Sequence, residues 1–216
     1  MNGLPDVESS YQGELFRKGI HISSLSIPIA YTFLDKWAIM AMLVPLTALF
    51  LFTDAARIFV PPFREFYHRL FGWLMRKHER EPGSRSLNGA SYVLLSACLC
   101  ILFFPKVIAI TAFSILIISD TVAALVGRRF GTKRFLGKSR EGATAFLVSA
   151  ILVVLFAPKV SYSASEYLIG TAGAGIGTIV ESLPISIDDN LSIPLSIGLV
   201  MWLLYGLFLP MTIFHN

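Results

Sequence analysis

Charged residues are scarce in this chain. Asp, Glu, Lys and Arg together make up 15% of the 216 residues, whereas 55% are hydrophobic. A soluble domain normally carries about a quarter charged residues, and several apolar runs here approach the roughly 20 residues that span a bilayer. The composition therefore excludes an ordinary soluble enzyme and predicts a polytopic integral membrane protein. The lipid bilayer is its expected partner, and nucleic acid is not.

Cysteine is almost absent as well. Cys98 and Cys100 lie in one apolar run, and side chains two residues apart point to different faces of a helix, so neither a disulfide nor a cysteine metal site is expected.

The first twelve residues lack the basic–apolar–small layout of a cleaved signal peptide, so the N-terminus is expected to be retained. With no low-complexity segment and no convincing repeat, residues 1–216 are expected to form a single transmembrane domain.

The apolar runs predict an all-α fold with seven transmembrane helices. Proline, lysine and acidic residues separate the runs, which cover about residues 19–35, 38–60, 88–104, 107–126, 143–157, 165–183 and 192–213. Between the second and third runs, residues 63–80 alternate aromatic and aliphatic side chains with arginines at helical spacing. That pattern is typical of an amphipathic helix lying in the membrane interface.

The distribution of cations predicts the orientation of these helices. With seven spans, 15 of the 18 Lys and Arg residues fall on one side of the membrane and three on the other. The positive-inside rule then places the N-terminus in the cytoplasm and the C-terminus outside. The basic cytoplasmic loop at 127–142 follows in part from this rule alone.

Several polar groups at the cytoplasmic edge are not explained by topology. Asp120 lies seven residues before Gly127, about 10 Å from the loop, where a lone carboxylate is costly and should face a cavity or a partner. Asp54 occupies a similar place in the second helix. An acidic cluster follows the glycine-rich sixth helix, and a polar stripe opens the first. These two groups consist of Glu181, Asp188, Asp189 and Asn190, and of Glu14, Arg17, Lys18 and His21.

Carboxylates beside a basic loop suit phosphoryl transfer. Oxygen ligands bind a divalent cation such as Mg²⁺, cations stabilise charge on the transferring group, and a carboxylate can accept the proton of the attacking hydroxyl. We predict Asp120, Lys138 and Asp54 as catalytic. The residues of this basic loop predicted to bind the nucleotide are Arg128, Lys133, Lys138 and Ser139. The predicted metal ligands are Asp120, Glu181, Asp189 and Asn190, and the predicted contacts to a headgroup or phosphate are Arg17, Lys18 and His21.

Five segments carry a resemblance to a known family. They are "ELFRKGIH", "TDAAR", "HEREPGSRSLNGASYVLL", "SDTVAALVGRRFGTKRFLGKSREGATAF" and "ESLPISIDDNLSIPL". They resemble the polytopic lipid-alcohol kinases, which include dolichol kinase, phytol kinase and CTP-dependent diacylglycerol kinase. The eukaryotic dolichol kinases are much longer, so this compact chain is closer to the small bacterial and plastid type. The resemblance implies a cytoplasm-facing site, a nucleoside triphosphate donor (CTP in the best-known members), a divalent cation and a membrane lipid alcohol as acceptor. It also places Asp120, Lys138, Ser139, Glu141 and Gly142 in the family's central motif, and Glu181, Asp189 and Asn190 in its C-terminal motif, which adds Glu141 and Gly142 to the predicted nucleotide-binding residues.

Two alternatives remain open from the residues. Phosphatidate cytidylyltransferases are similar polytopic CTP users, but their Lys-Arg then Lys-Asp run and His-Gly-Gly motif are absent from this sequence. Intramembrane acids with glycine-rich helices also occur in secondary transporters, whose substrate site lies near the membrane midplane. In this chain the polar groups are expected at one edge, which favours the kinase.

Overall fold

The computed structural model describes residues 11–72, 75 and 86–210, with the backbone alone for residues 11–16. The described residues form nine helices and two short strands. The helices are α1 Tyr11–Ser23, α2 Ser26–Phe33, α3 Lys36–Phe59, α4 Pro61–Phe71, α5 Gly89–Phe103, α6 Lys106–Phe130, α7 Arg140–Phe156, α8 Ala164–Ser182 and α9 Asp189–Phe208, and the strands are β1 Arg134–Phe135 and β2 Lys138–Ser139.

Polar caps fix where several of these helices begin. The Asp35 carboxylate accepts hydrogen bonds from the amides of Trp37 and Ala38, both at 2.9 Å, at the start of α3. Ser139 Oγ accepts from the Gly142 amide at 3.1 Å at the start of α7. Such side chains satisfy amides that have no partner within the helix.

Helix α6 forms the centre of the bundle. It packs against α1, α2, α5, α7, α8 and α9, and its side chains at Ile108, Ala112, Ile115 and Leu116 are completely buried. Glycines on both helices allow α6 and α7 to cross closely. A Cβ on Gly127 would lie 2.9 Å from Ser139 Oγ, and a Cβ on Gly142 would lie 3.1 Å from the Ala123 carbonyl oxygen. The crossing fixes the loop between α6 and α7.

The chain is a helical membrane protein, but its helices differ in detail from the predicted segments. In the described part, α3, α6 and α9 are long and apolar enough to cross a membrane, and α5 is a shorter apolar helix. The predicted first span is divided into α1 and α2 by a turn at Ser24 and Leu25. The number of seven spans and the side of each terminus stay predictions.

The basic loop of this largely helical chain contains a short pair of strands that the prediction of an all-α fold did not include. Helix α6 continues to Phe130 and α7 begins at Arg140, so the loop is shorter than the predicted 127–142. Strands β1 and β2 pair in antiparallel register as a hairpin, with Arg134 opposite Ser139 and Phe135 opposite Lys138. A pair of two-residue strands has too little length to leave a periodic pattern in the sequence.

The predicted interfacial helix at 63–80 corresponds in part to α4. This helix exposes Phe66, Leu70 and Phe71, and its sequence alternates them with Arg64 and Arg69. Apart from residue 75, the part of the prediction beyond residue 72 lies outside the described residues. The interfacial placement of α4 stays a prediction.

Candidate active site

Lys138 joins two carboxylates at one end of the bundle. Its ammonium donates to Glu181 Oε1 at 2.9 Å and to Asp189 Oδ2 at 2.8 Å. The Glu181 side chain is only 5% exposed, whereas Lys138 and Asp189 are 37% and 34% exposed. The cluster is therefore anchored in the protein on one side and open on the other.

The hairpin brings Lys138 to these acids. The Gly137 amide donates to the Ser182 carbonyl oxygen at 2.8 Å, which fastens the hairpin turn over the end of α8. A Cβ on Gly137 would lie 3.2 Å from both that oxygen and Pro184, so a larger residue fits poorly. Asp189 reaches Lys138 from the other side because it is the first residue of α9.

Asp120 is held by α1. The Lys18 ammonium donates to Asp120 Oδ2, and His21 Nε2 lies 3.9 Å from the same oxygen. All three side chains are only 11–13% exposed. Lys18 and His21 are three residues apart, and such residues share one face of a helix, so α1 presents both to one carboxylate.

The two charge clusters act on each other. The positive charge of Lys138 acts electrostatically on Asp120, and the negative charge of Asp120 acts on Asp189. Three of the four predicted metal ligands, Asp120, Glu181 and Asp189, therefore all interact electrostatically with Lys138 and belong to one site. The fourth, Asn190, is buried beside it and donates through Nδ2 to Asp188 Oδ1 at 2.8 Å.

The carboxylates keep Lys138 charged. Burial lowers the pKa of its ammonium, but attraction to Asp189 and Glu181 outweighs burial, so the net pKa lies above the ordinary value. Lys138 is thus a fixed positive charge through the physiological pH range.

The remaining loop residues lie on either side of the hairpin. Glu141 Oε1 accepts from Thr132 Oγ1 at 2.6 Å, and this hydrogen bond is the largest of the effects that lower the pKa of Glu141 to about 2. Arg128 and Lys133 are exposed near the crossing of α6 and α7. Ser139 and Gly142 form the cap of α7. The nucleotide-binding roles of these five residues stay predictions.

Asp54 occupies a separate, closed network. Its side chain is 0% exposed. Oδ2 accepts from the Asn88 amide at 2.9 Å and from Ser91 Oγ at 2.6 Å, while Oδ1 accepts from Arg57 Nε and Asn88 Nδ2, both at 3.2 Å. These donors occupy both carboxylate oxygens, so the geometry explains Asp54 as an anchor between α3 and α5. Its predicted catalytic role stays untested.

Sequence reasoning missed the pair between Lys18 and Asp120, since it assigned Arg17, Lys18 and His21 to a headgroup or phosphate. Arg17 precedes Lys18 on α1 and is partly buried. The available signal was the three-residue spacing of Lys18 and His21 on the polar stripe of the first predicted helix. That spacing shows a shared face but does not name the carboxylate it meets.

The acidic residues of the site suit a cation whose ligands come partly from the protein and partly from a substrate. Among the described residues no group of three or more His, Cys, Asp or Glu side chains is placed to hold a metal ion alone. Mg²⁺ usually takes one or two carboxylates and completes its shell with water and substrate phosphates. Asp120, Glu181 and Asp189 are oxygen donors of that kind, so the residues present fit Mg²⁺ bound together with a nucleotide.

Comparison with known proteins gives three informative relatives. An uncharacterized protein of Rickettsia prowazekii is 38% identical over 183 residues, which cover 83% of this chain and 89% of the relative. A probable chloroplastic phytol kinase of Triticum aestivum is 32% identical over 137 residues, covering 56% of this chain and 45% of the relative. CTP-dependent diacylglycerol kinase 1 of Saccharomyces cerevisiae is 26% identical over 210 residues, covering 87% of this chain and 66% of the relative.

No family model matches the chain, and no solved structure matches it. The chain spans less than two thirds of the wheat and yeast relatives, but most of the rickettsial one.

The named relatives are phosphotransferases with an alcohol acceptor, and a helical membrane fold with lysines and carboxylates gathered at one end is compatible with that class. The chain belongs to the lipid-alcohol kinase family that includes phytol kinase, farnesol kinase and CTP-dependent diacylglycerol kinase. The family predicted from the sequence motifs is thereby confirmed.

Proposed function

We propose that this protein transfers the γ-phosphoryl group of a nucleoside triphosphate to the hydroxyl of a membrane lipid alcohol at the cytoplasmic face. The observation that carries the proposal is the contact of Lys138 with Glu181 and Asp189 beside the buried Asp120. Phosphoryl transfer needs both signs of charge at one place, because cations neutralise the phosphates and a carboxylate manages the proton.

The reaction forms one bond to phosphorus and breaks one, and it moves one proton. The oxygen of the lipid hydroxyl attacks the γ-phosphorus, and the bond from that phosphorus to the oxygen bridging the β- and γ-phosphates breaks. The nucleoside diphosphate leaves with the electron pair of that bond. The proton of the hydroxyl passes to a base in the site, and the products are a lipid phosphate and the diphosphate.

Lys138 is assigned to the phosphates. It is already charged and partly exposed, so an entering triphosphate can replace one of its carboxylate partners. Arg128, in the last turn of α6, and Lys133, in the loop that follows, are both exposed and add positive charge near Lys138. Ser139, Glu141 and Gly142 hold the loop and the first turn of α7 in place.

Asp120 is assigned to the reacting centre. It acts either as the base toward the lipid hydroxyl or as a ligand of the nucleotide-bound cation, and both roles require an ionised carboxylate. The contacts with Lys18 and His21 favour that charged form. Glu181 and Asp189, with Asn190 beside them, would hold Mg²⁺, which when bound neutralises charge on the transferring phosphates.

CTP is proposed as the donor because a relative that matches 87% of this chain is named as CTP-dependent. The acceptor is proposed as a lipid with one hydroxyl, of the phytol, farnesol, polyprenol, dolichol or diacylglycerol type, since relatives are named for phytol, diacylglycerol and farnesol. The cytoplasmic face is proposed from the distribution of 15 cations against three.

The direct test is incubation of the purified protein with γ-labelled CTP, ATP, GTP or UTP and a panel of lipid alcohols. We expect label in a lipid phosphate, with CTP preferred, and no transfer after removal of divalent cations by EDTA. Label in a nucleotide–lipid conjugate formed from α-labelled CTP would instead identify a cytidylyltransferase. Absence of any labelled lipid in a correctly folded preparation would contradict the kinase.

Replacement of Lys138 by glutamine tests its role. We expect the KM for the nucleotide to rise by about tenfold or more, because a charge-assisted contact to phosphate is worth about 1.5–3 kcal/mol. The measurement is steady-state kinetics at saturating lipid. Arg140→Gln is the control, since Arg140 is also an exposed cation of this region but has no assigned role. If the Lys138 variant had the same kinetics as the Arg140 control, Lys138 would contribute only to membrane topology and not to nucleotide binding.

A further inference from the structure

Large apolar side chains are exposed at the hairpin between α6 and α7. Phe130 is 59% exposed, Phe135 38% and Leu136 54%. Arg129, Lys133 and Arg134 interleave with them in the sequence and are exposed too. Aromatic and aliphatic side chains mixed with cations are typical of segments that lie on an anionic membrane surface.

The length of α6 places the hairpin at the depth of the lipid headgroups. Its 25 residues extend over about 38 Å, which is longer than the roughly 30 Å hydrocarbon core of a bilayer. The excess must project into a headgroup region, and the end with Arg128 and Arg129 is the more highly charged. Phe130 and the hairpin then begin at the level of the headgroups.

The backbone of the hairpin turn is unusual at Leu136. Its φ is +53°, in the left-handed region that bulky residues rarely adopt. In the described structure Leu136 is also more than half exposed, so burial inside the protein does not offset the strain. A strained conformation that displays an aliphatic side chain at a turn tip points to a contact outside the chain.

We propose that the hairpin docks on a bilayer surface that contains anionic lipids, with Phe130 and Leu136 at the acyl boundary and Arg129 and Arg134 among the headgroups. Charge complementarity identifies the partner, because the exposed charges on this segment are positive and Glu141 is paired with Thr132. The docking requires only the hairpin and the membrane, whereas its effect on the reaction rests on the proposed kinase function.

Docking would fix the position of the phosphate-binding loop. Lys138 follows Leu136 by two residues and pairs across the hairpin with Phe135, while the turn is fastened to α8 through Gly137. A hairpin held on the headgroups thus keeps Lys138 at the depth where a lipid hydroxyl is presented. Anionic lipid would then activate the enzyme without entering the reaction.

The chain offers a matched control in Ile187. It is 55% exposed, almost the same as Leu136, and it also lies in a loop at this end of the bundle. The two residues that follow it are the acidic Asp188 and Asp189, so charge complementarity predicts no attraction to anionic lipid there. A comparison of the two positions therefore distinguishes the effect of exposure alone from the effect of attraction to the membrane.

The experiment places an environment-sensitive fluorophore on Leu136→Cys or Ile187→Cys, after alanine replacement of the buried Cys98 and Cys100. The full chain is reconstituted in nanodiscs of phosphatidylcholine alone or mixed equally with phosphatidylglycerol. We expect quenching by spin-labelled lipid at position 136 in the anionic discs, weaker quenching in the neutral discs and at high salt, and little at position 187.

Removing an arginine should weaken the docking. Arg129→Gln or Arg134→Gln is expected to lower the docked fraction at position 136 with about a fivefold change in the equilibrium constant per residue, as for a cation near an anionic surface. The proposal would be overturned if quenching were equal at positions 136 and 187, or if quenching at position 136 did not depend on the presence of anionic lipid. Docking without phosphoryl transfer would refute the kinase alone, and transfer without docking would refute the docking alone.

Discussion

Replacement of Asp120 by asparagine is expected to lower kcat by about 10²–10⁴-fold, the loss typical of removing an acid–base group. Asparagine keeps the size and hydrogen bonding of the side chain but removes the charge. Both roles proposed for Asp120 require that charge, and the contact with Lys18 favours it. The measurement is turnover with saturating nucleotide and lipid, on protein shown to be folded by gel filtration.

The matched control for this variant is Asp35→Asn. Asp35 caps α3 at the other end of the helices, and asparagine is about as good a cap as aspartate, so its turnover should equal that of the wild type. If Asp120 were only structural, asparagine would be tolerated because it relieves the cost of burying a charge. Near-normal turnover of the Asp120 variant would refute the proposed site.

Replacement of Asp54 by alanine is expected to destabilise the fold by about 3–5 kcal/mol, the usual cost of removing one partner from a buried ion pair. The variant leaves Arg57 buried and without its carboxylate, since the two side chains are only 3% and 0% exposed. It also removes the acceptor for Asn88 and Ser91. The measurement is the midpoint of thermal unfolding in detergent, followed by the loss of the monodisperse peak.

Glu65→Ala provides the control for Asp54, because Glu65 is an exposed acid on α4 and surface replacements usually change stability by less than about 0.5 kcal/mol. The two explanations of Asp54 separate clearly. A variant that unfolds early supports the anchor between α3 and α5. A variant that keeps the wild-type midpoint but has lost turnover would support the predicted catalytic role.

The sequence was sufficient to place the main charges of the site at one end of the helices. Asp120 and Lys138 are 18 residues apart in one motif, and Glu181 and Asp189 flank the break between two apolar runs. Helix periodicity and the positions of the breaks bring such residues to one edge. The structure then adds the specific contacts of Lys138 with Glu181 and Asp189.

Other features depend on contacts between distant segments and could not be predicted. Lys18 and Asp120 are 102 residues apart, and nothing local to either one specifies the partner. The turn of the hairpin is hydrogen-bonded from Gly137 to Ser182, which lies 45 residues further along the chain. The anchor role of Asp54 likewise depends on Asn88, which lies 34 residues further along the chain.

The pair between Lys18 and Asp120 also bears on how the chain enters the membrane. An aspartate within a membrane helix raises the free energy of insertion, by at most about 2.5–3.5 kcal/mol at the helix centre, and α6 carries Asp120 to a buried position among the other helices. Chains are synthesised from the N-terminus, so α1 emerges long before α6 and its lysine is available when the aspartate arrives. A contact of the finished site can thus assist biogenesis, and loss of Lys18 would reduce the yield of inserted protein as well as its activity.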